Sequence, residues 1–121
     1  LAWSTHKIGI DLEDSRRKIN PLKIAKRFFL PSENYLIMQE NNYAQKNFVL
    51  KLFTIKEACV KLEGKGLAKN MNNWIWDGSD LVINSENSKK AKVFSFDYKS
   101  YKISIAQNHI TKHLPLVCTF L

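Results

Sequence analysis

Residues 43–62 read YAQKNFVLKLFTIKEACVKL, and within them Phe48, Leu52, Ile55, Cys59 and Leu62 recur at alternating steps of four and three. That spacing lines one side of an α-helix with apolar side chains, so the longest helix is predicted from about Tyr43 to Leu62. Gly64 is its natural C-terminal stop. Upstream, Ile8, Ile10 and Leu12 alternate with Gly9, Asp11 and Glu13. This period of two predicts a strand with one greasy face and one acidic face.

Shorter elements flank these two. Asn20 followed by Pro21 is a cap and first-turn proline, and Leu22, Ile24, Ala25, Phe28 and Phe29 give a helical face that ends by Leu30, ahead of Pro31. Ser32 can cap a second short helix carrying Tyr35, Leu36 and Ile37, with Asn41 and Asn42 at its end. Leu1–Trp3 reads as a short strand. After Gly64 the chain turns strand-rich. Trp76 to Asp80 is turn chemistry leading into a strand at Leu81–Ile83, and 84–90 is a polar loop. Val93, Phe94 and Phe96 begin another strand, while Tyr101, Ile103 and Ile105 alternate with polar residues beyond a hairpin around Lys99. Residues 114–121 are β-prone but contain Pro115, which predicts an edge strand or a tail. The expected class is α+β, an antiparallel sheet packed against one long helix with additional short helices.

A length of 121 residues suits a single domain over 1–121, and 45% apolar with 25% charged residues is a globular balance. No apolar run approaches the roughly 20 residues needed to cross a bilayer, which excludes transmembrane and secretory readings. Nineteen Lys and Arg against eleven Asp and Glu leave a net charge of +8, which favours an anionic partner. Interleaved Phe, Tyr and Trp would suit a nucleic-acid-binding module, but the basic residues are spread evenly, eleven up to Glu63 and eight after it. Cys59 and Cys118 lack metal-type neighbours and are expected to be buried thiols in a reducing, cytoplasmic compartment. His6, His109 and His113 read as exposed or satisfied histidines.

The candidate chemistry lies in two places. Asp11 and Glu13, two apart on a strand, project to one side beside Gly9, a geometry that suits a hard divalent cation and equally describes solvated surface acids. Asp14 should point the other way. On the long helix Glu57 and Lys61 are four apart, with Lys56 beside them. They could form an ordinary ion pair, or complete a cation site and bind the phosphate that the cation carries.

Taken together, Ile8-Gly9-Ile10-Asp11-Leu12-Glu13 and Phe53-Thr54-Ile55-Lys56-Glu57-Ala58-Cys59-Val60-Lys61 resemble the two signature motifs of the 4'-phosphopantetheinyl transferases. Between them, Ile24-Ala25-Lys26-Arg27-Phe28-Phe29 and Pro31-Ser32-Glu33 are similar to the linking helix and acidic residue of the surfactin-synthetase-activating branch, as is Glu63-Gly64-Lys65-Gly66-Leu67. The resemblance implies transfer of 4'-phosphopantetheine from coenzyme A to a serine of an acyl or peptidyl carrier protein, releasing 3',5'-ADP. It implies that Asp11, Glu13 and Glu57 hold Mg²⁺ and that Lys61 pairs with a phosphate oxygen. Lys56 and Lys65 would lie towards the coenzyme. Glu57, directly or through a water, or Glu33 would serve as base for the serine hydroxyl.

Members of that branch are about twice this length and consist of two similar halves with the active site between them; this chain resembles the second half. The Ser-His pair that contacts the coenzyme in that branch has no counterpart here, since His6 follows Thr5. The opening at Leu1 rather than Met fits an excised domain first, a chain that pairs with a separate N-terminal half second, and a homo-oligomer like the short holo-acyl-carrier-protein synthases third. The chain alone is expected to turn over poorly or not at all. A non-catalytic half that docks carrier proteins through Arg16, Arg17, Lys18, Lys23, Lys26 and Arg27 is the alternative within the same resemblance.

Overall fold

The structure is a computed structural model that describes residues 2–4, 7–64, 71–109 and 116–118. Its helices begin and end where local chemistry dictates. α1 spans Pro21–Phe28, with the Asn20 side chain accepting the Lys23 N–H at 3.2 Å. α2 spans Pro31–Met38 with Leu30 at its cap position, two residues earlier than a Ser32 cap would place it. Pro31 takes the first helical position, where a missing N–H costs nothing, and the Glu33 carboxylate accepts the Leu30 N–H at 2.9 Å. α3 spans Asn42–Glu63, capped by the Asn41 side chain on the Ala44 N–H at 2.9 Å. It stops at Gly64, whose φ of 69° is the left-handed conformation that favours glycine.

The strands are β1 (Ala2–Ser4), β2 (Ile8–Asp14), β3 (Trp74–Trp76), β4 (Leu81–Asn84), β5 (Lys90–Tyr98), β6 (Tyr101–Asn108) and β7 (Leu116–Cys118). Five of them form an antiparallel sheet in the order β2-β6-β5-β4-β3, while β1 pairs with β7 in a separate ribbon. β5 starts three residues before Val93 and turns into β6 through Lys99, at a φ of 53°. Periodicity did not reveal β3: Trp-Ile-Trp is too short to show a repeat, and its ladder with β4 defines it as a strand. Among the described residues, no helix is long and apolar enough to cross a membrane.

Helix α3 crosses one face of the sheet. Ile55, Ala58, Cys59 and Leu62 meet Trp74, Val82, Ala91, Val93 and Ala106 in the main core. α1 and α2 close over the helix through Ala25, Phe29, Ile37, Val49 and Leu52. The sheet face that meets α3 is the acidic face of β2. A Cβ on Gly9 would stand 1.9 Å from the Ala58 carbonyl oxygen and 2.5 Å from the Leu62 nitrogen. Ile10 and Leu12, paired with Ile105 and Ile103, therefore lie on the outer face, where Leu12 is 53% exposed. The side of β2 that reads as polar is the inward one because only glycine there lets strand and helix backbones touch.

The hydroxyls on the inner face are satisfied by one another. Ser104, directly opposite Asp11 in the β2–β6 ladder, lies 2.8 Å from both the Thr54 and Ser95 hydroxyls. Cys59 is fully buried, and burial pushes its thiol up to about 12. The Cys118 side chain, His6 and His113 lie outside the described residues; His109 is exposed.

Two outcomes follow from this architecture. Gly9→Ala should lower stability by about 3 kcal/mol, as overpacking against backbone does, or prevent folding; a urea midpoint equal to that of the unsubstituted protein would contradict the close approach. In a Cys118→Ser background, a disulfide reagent at pH 8 should label Cys59 only as fast as the protein unfolds.

Candidate functional site

The contact between Gly9 and α3 brings the two signature segments together. Asp11 lies two residues along β2 from Gly9, and Glu57 and Lys61 flank Ala58 and Leu62 on the helix. Asp11 is 8% exposed, and its Oδ1 accepts from Lys61 Nζ at 2.7 Å. Its Oδ2 is buried without a hydrogen-bond partner. Burial pushes the Asp11 carboxyl above the usual carboxylate range, against the pull of Lys61, and the negative charges of Glu57 and Glu13 push it the same way.

Glu57 is buried on α3. The i, i+4 spacing pairs Lys61 with Glu57, but the Lys61 ammonium reaches across to the strand instead. Glu13 is held by Arg17 Nη1 at 3.2 Å. Among the described residues, no three His, Cys, Asp or Glu side chains are gathered closely enough to form a ready metal cage. Asp11 is instead the centre, with Glu13 and Glu57 within electrostatic reach and a basic side chain on each strand carboxylate. Asp14 stands apart, bound by Arg16, whose hydrogen bonds hold its carboxyl down at about 2.

Lys56 and Glu33 do not join this group through solvent. They are paired with each other at 2.6 Å, with side-chain exposures of 0% and 4%. The Lys56 ammonium also lies 5.5 Å from the centre of the Phe29 ring. Burial lowers the Lys56 ammonium from the usual lysine range, while Glu33 pulls it back up. The same Glu33 oxygen accepts the Leu30 N–H, and the other oxygen is buried without a partner. This pair ties α2 to α3. Its members are 23 residues apart, so no local spacing announces it. Lys65 lies outside the described residues. Beside Glu13 and Arg17 opens a cavity of about 250 Å³ whose walls include Ile19, Ile24, Phe28 and Phe53.

Comparison with known proteins places this arrangement. Residues 7–114 match the model of the 4'-phosphopantetheinyl transferase superfamily, and the chain belongs to that superfamily. It is 31% identical over 107 residues to 4'-phosphopantetheinyl transferase gsp of Aneurinibacillus migulanus, covering 85% of this chain and 44% of that protein. It is 34% identical over 73 residues to 4'-phosphopantetheinyl transferase Sfp of Bacillus subtilis, covering 60% and 32%. The chain thus spans at most about half the length of these relatives. In fold it is similar to the holo-[acyl-carrier-protein] synthase of Thermotoga maritima, with a TM-score of 0.67 at 20% identity, covering 84% of this chain and 62% of that one. The enzyme of Neisseria meningitidis gives a TM-score of 0.62 at 17% identity and is covered over 98% of its chain, against 86% of this one.

Removing one partner of the buried pair should be costly. Lys56→Met leaves Glu33 buried without its cation and should lower stability by about 3–5 kcal/mol. Combining it with Glu33→Leu should recover most of that loss. Equal denaturation midpoints for Lys56→Met and the unsubstituted protein would contradict a stabilising tie between α2 and α3.

Proposed function

We propose that this chain carries the metal-binding wall of a 4'-phosphopantetheinyl transferase, which moves 4'-phosphopantetheine from coenzyme A to a serine of an acyl or peptidyl carrier protein. The observation that carries the proposal is Asp11: a nearly buried carboxylate with one oxygen unpartnered, within reach of two further carboxylates, in a chain of this superfamily. Such a group fits a hard cation. Mg²⁺ commonly takes one or two carboxylates, keeps waters and completes its shell with phosphate oxygens, so a ready three-carboxylate cage is not required. Asp11, Glu13 and Glu57 would hold it, and when bound it would neutralise charge on the diphosphate of coenzyme A.

The chain's own residues supply the rest. Lys61, half exposed at the end of α3, would offer its ammonium to a phosphate oxygen as charge builds there. Glu57 is the favoured base for the serine hydroxyl, directly or through a water. Glu33, bound to Lys56 and the Leu30 N–H, is better suited to positioning α3 than to taking a proton. Lys56 likewise acts through Glu33, and Lys65 remains a candidate contact to the coenzyme. The apolar cavity beside Glu13 would seat side chains of the carrier. Arg17 at its rim, with Lys23, Lys26 and Arg27 on or near exposed turns of α1, would attract an acidic partner. Superfamily membership favours this reading over a nucleic-acid module. Its cleft would be completed by an N-terminal half or by another copy of the chain.

Isothermal titration should show coenzyme A binding that depends on Mg²⁺ and that Asp11→Ala weakens by about a hundredfold, since even indirect supports of metal ligands cost about 10–100-fold. Binding that is equal in chelator and in Mg²⁺, or unchanged by Asp11→Ala, would overturn the proposal.

A further inference from the structure

The two lysines that the signature segment contributes are held in opposite ways. Lys56 is fully buried and bound to a buried glutamate. Lys61 has a side chain 51% exposed, yet its ammonium rests on a carboxylate whose side chain is only 10% exposed. Arg17, 65% exposed, rests in the same manner on Glu13, 18% exposed. Each strand carboxylate of the site therefore carries a cation that comes in from solvent and can return there. Each of these cations can withdraw into water, but Asp11 is too buried to stand bare, so Lys61 leaves at little cost only when another cation takes its place.

A divalent cation brought to Asp11 meets an ammonium already on Oδ1, while Oδ2 is open but buried. A divalent cation on Oδ2 would stand within a few ångströms of that ammonium, and the two charges repel in a partly desolvated setting. The geometry points to an exchange: Lys61 is a resident counter-cation at Asp11 that the metal displaces, and the released ammonium then takes up the phosphate. This rests on the metal reading given above and adds a sign to it. Lys61 opposes the metal when it arrives alone and favours the metal when it arrives with a diphosphate, so metal and coenzyme A are coupled through one side chain. Coupling of this kind is reciprocal, and each ligand tightens the other by the same factor.

Mn²⁺ titrations of the purified chain, followed by electron paramagnetic resonance with and without coenzyme A, test the exchange. Without coenzyme A, Lys61→Gln should bind Mn²⁺ about five- to tenfold more tightly than the unsubstituted chain. Lys61→Arg, which keeps the charge, should stay within about twofold. Coenzyme A should tighten Mn²⁺ binding in the unsubstituted chain and do so less in Lys61→Gln. Equal or weaker Mn²⁺ binding by Lys61→Gln, with binding still abolished by Asp11→Asn, would overturn the exchange and leave the metal site standing. Mn²⁺ binding that is undetectable, or unchanged by Asp11→Asn, would overturn the metal reading itself and the exchange with it.

Discussion

Everything at the site is referred to one backbone-to-backbone contact. Gly9 lies against the Ala58 carbonyl and the Leu62 nitrogen of α3, closer than any side chain would allow. Because Glu57 precedes Ala58 and Lys61 precedes Leu62, the contact fixes both helical side chains relative to Asp11, two residues further along the strand. The spacing between strand and helix is thus set by main chain, which cannot change rotamer. It also explains why β2 turns its acidic face inward. The inner surface beside a bare glycine has no room for the isoleucines, and they go outside with Leu12.

Two ion pairs anchor the chemistry, and they differ in kind. Lys56 and Glu33 are shut away between α2 and α3, where a charge pair is tolerated only because each satisfies the other. Lys61 and Asp11 meet at the border of the fold, one arm wet and the other nearly dry. The first is a fixture of the structure. The second can be rearranged by whatever enters, and only such a pair can respond to a ligand.

Much of this was legible beforehand, for definite reasons. The four-and-three spacing from Phe48 to Leu62 gave α3 to within a residue at each end, and Asn20-Pro21 marked the start of α1. The paired motifs named the superfamily to which the chain belongs. What was not legible depends on contacts distant in sequence. The partner of Lys61 is a strand aspartate 50 residues away rather than the glutamate one helical turn away. The Lys56–Glu33 tie, 23 residues apart, likewise arises from tertiary placement. Alternation in β2 showed two faces but not which one met the helix, because the deciding residue, Gly9, has no side chain to score.

The order of the sheet carries one more consequence. β2 is an outermost strand, and among the described residues it is zipped only to β6, a partner from the far end of the chain, with Ile8 opposite Gln107. Every second peptide group of β2 consequently looks away from the ladder. An outermost strand offers such groups for pairing with a further strand, so the acid-bearing segment, though packed closely on α3, is also where the described sheet leaves main-chain donors and acceptors unclaimed by β6.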